Sequence, residues 1–373
     1  MLLRKLKTEE NGRTRELWEK IFSDDTAEFL DYYYTEKTQD NEIYVIERDG
    51  YICSMLHLNP YEMHIGEKEM ESRYVVAVAT DEAYRGRQYM TQLLRKTARD
   101  LYLQKVPFMF LMPAAQAIYY PHDYRYIYNM PQWKAEPVGE EPVSAGDLGK
   151  VIRDGGIEIR PAGQNDCKEM AVFAEKNLKD RYQVYTKRDF LYYHRMLMEQ
   201  ESQNGGILIA KEDNKIKAMV CYAQETDLIV REPIAEEGYE HIFEKAGIKI
   251  KEVGKKPLIM ARAVDAEALL SCMCCKEDME VQFVLYDPVI KENNKVFILR
   301  GNTEHIVVRT RPLVKGKYED LQMISVDALL SIAFGYKEIE KIEEEEQEFF
   351  GEDFRNEISK LLPLDHIFLN EVV

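Results

Sequence analysis

The stretch that most limits what this chain can fold into runs from Val75 to Leu103. Val75-Val-Ala-Val-Ala-Thr80 favours a strand, Tyr84-Arg-Gly-Arg-Gln-Tyr-Met90 is a short basic turn with a glycine, and Thr91 to Leu103 carries a helical pattern. A strand that feeds such a turn into a helix gathers unpaired backbone N–H groups and the positive end of a helix dipole at one place. Such a place binds phosphate.

The flanking sequence supplies the rest of a mixed unit. Thr8 to Phe22 and Thr26 to Tyr34 place apolar residues at helical spacing. Glu42 to Arg48 and Tyr51 to Leu58 form strands around the turn Asp49-Gly50, and Met63 to Ile65 and Met70 to Thr80 form a second hairpin around Gly66-Glu67. After the helix, Val106-Pro-Phe-Met-Phe-Leu-Met112 reads as a strand buried on both faces. Small residues follow, and then a tyrosine-rich segment from Ile118 to Tyr128 that ends in a last strand near Trp133. This order is α+β, with a three- or four-stranded antiparallel front.

A chain of 373 residues is too long for one ordinary core, so two or three domains are expected. Residues 1–135 form the first. Residues 136–156, biased to glycine, proline and charge, suit a linker. Residues 157–256 repeat a helix–helix–hairpin order without a basic turn, which predicts a degenerate copy of the first unit. The last unit, 257–373, opens with a strand over Leu258 to Val264 and continues as a meander with helices. The run Lys337 to Glu357, ten acids against three basic residues, reads as a solvated face or loop. The closing residues Leu364 to Val373 are apolar enough to be tucked in.

The formal charge of −17 argues against nucleic-acid or membrane-surface binding and favours cationic partners. No apolar run is long enough for a transmembrane helix. With no apolar leader and six scattered cysteines, a cytoplasmic protein with reduced thiols is expected. Cys272-Met-Cys274-Cys275 is not followed by a second cysteine pair or His-x₃₋₅-His, so no metal site is expected.

The strand, basic turn, helix and second strand, followed by a tyrosine-rich turn, resemble the GNAT family of N-acetyltransferases. That family's (Arg or Gln)-x-x-Gly-x-(Gly or Ala) motif falls on Arg85-Gly86-Arg87-Gln88-Tyr89-Met90. Gln88 stands where the family usually has glycine, and Met90 where it has a small residue. The three-part order, with Met260-Ala-Arg-Ala-Val-Asp265, Asp287-Pro288 and Asn293-Asn294 in the last unit, is similar to the Eis-type (enhanced intracellular survival) acetyltransferases over essentially the whole chain. The resemblance implies tandem GNAT-like domains, the second degenerate, followed by a sterol carrier protein-like α/β domain whose C-terminus reaches the first.

It also implies an acetyl-CoA-dependent N-acetyltransferase acting on a cationic primary amine of the aminoglycoside, polyamine or lysine type. The family's Ile-Tyr-x-x-Phe-Gly-Tyr pattern becomes Ile118-Tyr119-Tyr120-Pro121-His122-Asp123-Tyr124, making Tyr119 the implied general acid and leaving Tyr120 as an alternative. The implied general base is the chain's own terminal carboxylate, on Val373. Val76, Val78, Ala114 and Ala115 would line the pantetheine arm, and Arg85 to Met90 would hold the pyrophosphate. Glu28, Asp31, Tyr32 and Glu36 are candidate wall residues for the acceptor. The family forms rings, so a homo-oligomer, trimer or hexamer, is implied. The competing expectation is a non-catalytic protein that binds acyl-CoA or an apolar ligand on the same scaffold.

Overall fold

The computed structural model describes residues 1–224 and 227–371. Strands β1 (Leu2–Lys5), β2 (Glu42–Arg48), β3 (Tyr51–Ile65) and β4 (Lys68–Thr80) form an antiparallel front, with α1 (Arg15–Ile21) and α2 (Ala27–Thr35) ahead of β2. The two strands expected at Tyr51 to Leu58 and Met63 to Ile65 are one, β3, because its buried face runs unbroken past Pro60. Helix α2 starts where Thr26 accepts a hydrogen bond from the Phe29 N–H. Helix α3 (Tyr89–Leu103) buries Leu93, Leu94, Thr97, Ala98 and Leu101, a stripe at helical spacing, against the sheet. Strand β5 (Phe108–Leu111) then pairs parallel to β4, and a turn of helix, α4 (Gln116–Tyr119), leads to β6 (Arg125–Pro137).

The expected linker is partly structured. It holds α5 (Ala145–Leu148), capped by Ser144, and β7 (Ile152–Asp154), which pairs with β8 (Ile157–Pro161). The second unit continues with α6 (Cys167–Leu178), β9 (Val184–Thr186), α7 (Phe190–Ser202), β10 (Gly206–Glu212), β11 (Lys215–Gln224) and β12 (Leu228–Ala235). Its sheet has the order β12-β11-β10-β8-β7.

Strand β13 (Ile248–Ala263) departs from the expected boundary at 257. It pairs with β6 from Ile248 to Ala261 and with β5 from Met260 to Ala263. The strand expected to open the third unit therefore belongs to the first sheet, whose order is β1-β2-β3-β4-β5-β13-β6. Ile259, Met260, Ala261 and Ala263 are wholly buried there, as a central strand covered on both faces requires.

The third unit proper holds α8 (Ala266–Leu270), β14 (Cys274–Cys275), β15 (Met279–Tyr286), β16 (Lys295–Gly301), β17 (Ile306–Pro312), β18 (Gln322–Ser325), α9 (Val326–Phe334), α10 (Ile339–Glu346), α11 (Glu352–Ile358), β19 (Leu361–Leu362) and β20 (Ile367–Phe368). Its sheet is β17-β16-β15-β18, with the last pair parallel. All six cysteines are free thiols. Among the described residues no helix is long and apolar enough to cross a membrane.

Two sets of charges fasten the third unit to the first. Buried Arg262 on β13 donates to Asp287 at 2.7 Å and to Asp123 at 3.3 Å. Buried Arg125 donates to Glu346 at 2.6 Å and also meets Asp327. The acidic run is therefore not simply a solvated face: Glu346 anchors Arg125, Glu343 holds Arg355, and Glu348 accepts from the Ser325 N–H. At the chain's end β20 pairs with β9, and β9 pairs with β3, so the closing segment is strapped to the first sheet.

Candidate active site

The parallel strands β4 and β5 share two rungs, Arg73 with Met109 and Tyr74 with Phe110. Beyond Tyr74 they part, and β4 continues to Thr80 with one edge bonded to β3 and the other free. A bulge marks the parting. Met55 pairs with Ala79 and His57 with Val76, so Ala77 and Val78 together face Leu56, and Ala77 sits at φ +51°. A non-glycine residue held in this region costs on the order of 1–3 kcal/mol, and bulges redirect the backbone beside functional sites. Val76 and Val78 are half-buried on this segment.

The turn after β4 presents a second set of free donors. The backbone N–H groups of Gly86, Arg87, Gln88, Tyr89 and Met90 meet no acceptor among the described residues. Gly86 lies at φ +76° and Gln88 at φ +58°. Glutamine in the left-handed region costs about 1 kcal/mol more than glycine would, which is the physical reason a glycine suits this position. Arg85 and Arg87 are exposed and loosely held, Arg85 by Glu82 at 3.4 Å and Arg87 over the Tyr84 ring. Both guanidinium groups are free to turn toward an anion. The Tyr89 side chain is buried with Leu93 and Leu94, so this residue offers its N–H and not its ring.

Tyr119, at the end of α4, belongs to the same buried apolar cluster as Val75, Leu111 and Tyr124, against which Val78 packs. It is 8% exposed, lies edge-on to Tyr124 at 5.7 Å, and its hydroxyl has no hydrogen-bond partner among the described residues. Burial pushes its pKa up to about 12. It is therefore protonated at neutral pH and able to donate. Tyr120 is committed elsewhere: its hydroxyl donates to Glu346 at 2.7 Å, and Arg125 stacks on its ring at 3.5 Å. Asp123, in the left-handed conformation, closes the turn and is raised by burial against the pull of Arg262. Ala114 and Ala115 follow β5 as exposed small residues.

A cavity of about 500 Å³ lies between the first two units and the closing segment. Tyr74 is within electrostatic reach of both Tyr119 and the buried Glu371, a residue that lines this cavity. Glu371 is fixed by Tyr192 at 3.2 Å and Arg188 at 3.5 Å and also bonds Thr186. Val373 lies outside the described residues. Of the four expected wall residues, Tyr32 lines the cavity; Asp31 is exposed and pairs with Arg15, Glu28 is exposed, and Glu36 does not line the cavity. The lining includes two residues the sequence did not single out, Lys37 and Glu199. Each is a lone charge in an ordinary helical context, with no pattern to mark it.

The family model of the acetyltransferase (GNAT) domain matches residues 3–127. No curated protein matches the chain. Among solved structures, the chain is similar to a conserved protein of unknown function from Enterococcus faecalis, with 15% identity, 97% of each chain covered and a TM-score of 0.73. It is similar to a GCN5-related N-acetyltransferase from Anabaena variabilis, with 14% identity, 96% of this chain and 97% of that one covered, and a TM-score of 0.73. It is also similar to Eis1 from Mycobacterium abscessus, with 12% identity, 96% of each chain covered and a TM-score of 0.68. These likenesses carry the fold across the whole length. The first unit is a GNAT acetyltransferase domain, and the protein is an acyltransferase.

Proposed function

We propose that the protein transfers an acetyl group from acetyl-CoA to a cationic primary amine. The observation that carries this reading is the parting of β4 from β5 after Tyr74, with a protonated Tyr119, its hydroxyl unpartnered among the described residues, in the same apolar cluster as Val75. The free edge of β4 at Val76 and Val78 suits the amide groups of a pantetheine arm. The open N–H groups from Gly86 to Met90, with Arg85 and Arg87, suit a pyrophosphate.

In the proposed reaction the Val373 carboxylate takes a proton from the substrate ammonium, and the freed amine nitrogen then attacks the thioester carbonyl carbon, whose oxygen becomes negative. A backbone N–H of the Val76-Ala77-Val78 segment stabilises that charge. The carbon–sulfur bond then breaks, and the departing thiolate takes the Tyr119 proton. The second proton, lost by the nitrogen as the amide forms, restores Tyr119; the segment that precedes Val373 is anchored by β20 and the buried Leu369 through the strap to β9. On this reading the β15–β18 unit is the sterol carrier protein-like part, and it delivers the closing segment.

Acetyl-CoA-dependent thiol release with a panel of polyamines, aminoglycosides and lysine peptides tests the reaction. Extending the chain past Val373, or amidating its carboxylate, is expected to lower turnover roughly a hundredfold, within the range for lost general-base catalysis, while leaving coenzyme A affinity nearly intact. Unchanged turnover removes the carboxylate from the mechanism. The protein is further proposed to form a trimer or hexamer, and a monomer in sedimentation would refute that.

A further inference from the structure

The cavity lined by Lys37 and Glu199 contains two opposite charges, neither of which is ion-paired among the described residues. Lys37, 6% exposed, donates from Nζ to the Tyr61 hydroxyl at 3.0 Å, and among the described residues no carboxylate lies within ion-pair distance of it. Glu199 accepts from the Tyr32 hydroxyl at 3.3 Å, and among the described residues no cation lies within ion-pair distance of it, although Arg231 on the same wall also acts on it electrostatically. Burial lowers the Lys37 pKa to about 8 and raises that of Glu199 to about 7. Each is the largest charge influence on the other, yet they do not touch. Other cations on the same wall are neutralised within the fold: Arg73 by Glu42 at 3.0 Å, Lys187 by Glu62 at 3.0 Å and Arg195 by Asp40 at 2.6 Å.

Two further acceptors on the wall are idle. Gln200 Oε1 and Glu371 Oε2 are buried without a hydrogen-bond partner, although both residues are more than nine-tenths buried. A buried polar atom with no partner is costly, and a buried charge more so. Among the described residues the wall therefore offers Lys37 as a donor cation with no carboxylate partner, together with Glu199, Gln200 and Glu371 as acceptors.

We infer that this cavity binds a zwitterion of the α-amino acid type, its carboxylate on Lys37 and its ammonium among Glu199, Gln200 Oε1 and Glu371 Oε2. A purely cationic polyamine would leave Lys37 unmatched, and a simple carboxylic acid would leave the acceptors idle. An α-amino acid carries an ammonium and a carboxylate on one carbon and can engage both kinds of group at once. The identification of this zwitterion as the acetyl acceptor rests on the transferase reading above; its binding does not.

Calorimetric titration of the full chain with the protein amino acids and with their α-amides tests the inference without catalysis. The amides keep the amine and side chain and lack the carboxylate. At least one amino acid is expected to bind roughly tenfold or more tightly than its amide, the scale of one charge-assisted hydrogen bond, and Lys37→Met is expected to erase the difference. Binding of no amino acid, equal or tighter binding of every amide, or a preference that survives Lys37→Met overturns the inference. The wild-type comparison decides the matter even where the variant does not fold. Acetyl transfer to polyamines but not to amino acids overturns the zwitterion acceptor and leaves the transferase standing. Amino-acid binding with no transfer to any amine does the reverse.

Discussion

Tyr119→Phe is expected to lower kcat roughly a thousandfold, the middle of the range for loss of a positioned general acid, with acetyl-CoA affinity and unfolding midpoint near those of the wild type. The ring is a buried packing element among Val75, Leu111 and Tyr124, and phenylalanine preserves that packing. The hydroxyl supports nothing else in the structure, since it has no internal partner among the described residues, so its removal isolates the chemistry. Tyr120→Phe provides the contrast. Its hydroxyl is bound to Glu346, so this change is expected to cost about 1 kcal/mol of stability and little turnover. The pH profile supplies an independent check. An ordinary phenol would lose its proton near 10, but burial holds Tyr119 until about 12, so wild-type kcat should not fall on its account as the pH passes 10. A Tyr119→Phe enzyme within threefold of wild type ends the assignment.

The largest stability effect is expected from Arg125→Met, about 4 kcal/mol measured by urea unfolding, the scale for removing one partner of a buried ion pair. Arg125 donates to Glu346 and Asp327 and also to the carbonyl oxygens of Tyr120 at 3.0 Å and Tyr124 at 2.8 Å. Methionine replaces the volume and none of these bonds. Burial alone would raise the Glu346 pKa, but hydrogen bonds from Arg125 and Tyr120 overcome it and hold the value below the usual 4.5. A lowered folded-state pKa contributes stability above the unfolded value and loses it as the pH falls through the folded one. The penalty of Arg125→Met should thus be greatest near neutral pH and shrink on acidification below about 4.5, where Glu346 can take a proton. A loss under 1 kcal/mol, or one that grows on acidification, would show that the cluster does not work this way.

Local signals are legible in the sequence because they act over a few residues. The hairpin turns at Asp49-Gly50 and Gly66-Glu67, the stripe of α3 and the basic turn at Gly86 all depend on neighbours in the chain. The long-range features were not legible in the same way. Leu258 to Ala263 reads as a strand, but nothing in those residues states that their partners are β5 and β6, more than a hundred positions earlier. The acidic run after Lys337 has the composition of a solvated face, and the arginine that buries Glu346 comes from β6. Lys37 and Glu199 become notable because, among the described residues, neither has an opposite charge within ion-pair distance, and such an absence has no sequence pattern. The parting of β4 from β5 is likewise a property of two strands ending their pairing together.

The placement of β13 has a consequence for how the protein comes to be made. As the chain leaves the ribosome, residues 1–137 emerge with the donors and acceptors of β5 and β6 facing water on the edges that β13 will fill. The acyltransferase sheet cannot close until the whole second unit has been synthesised and the chain has returned at Ile248. Contacts of such separation form late and leave unpaired strand edges exposed in the meantime. The second unit, which lacks a basic turn of its own, therefore sets the schedule on which the first one matures, and a fragment cut at the end of the first unit would keep its aggregation-prone edges permanently.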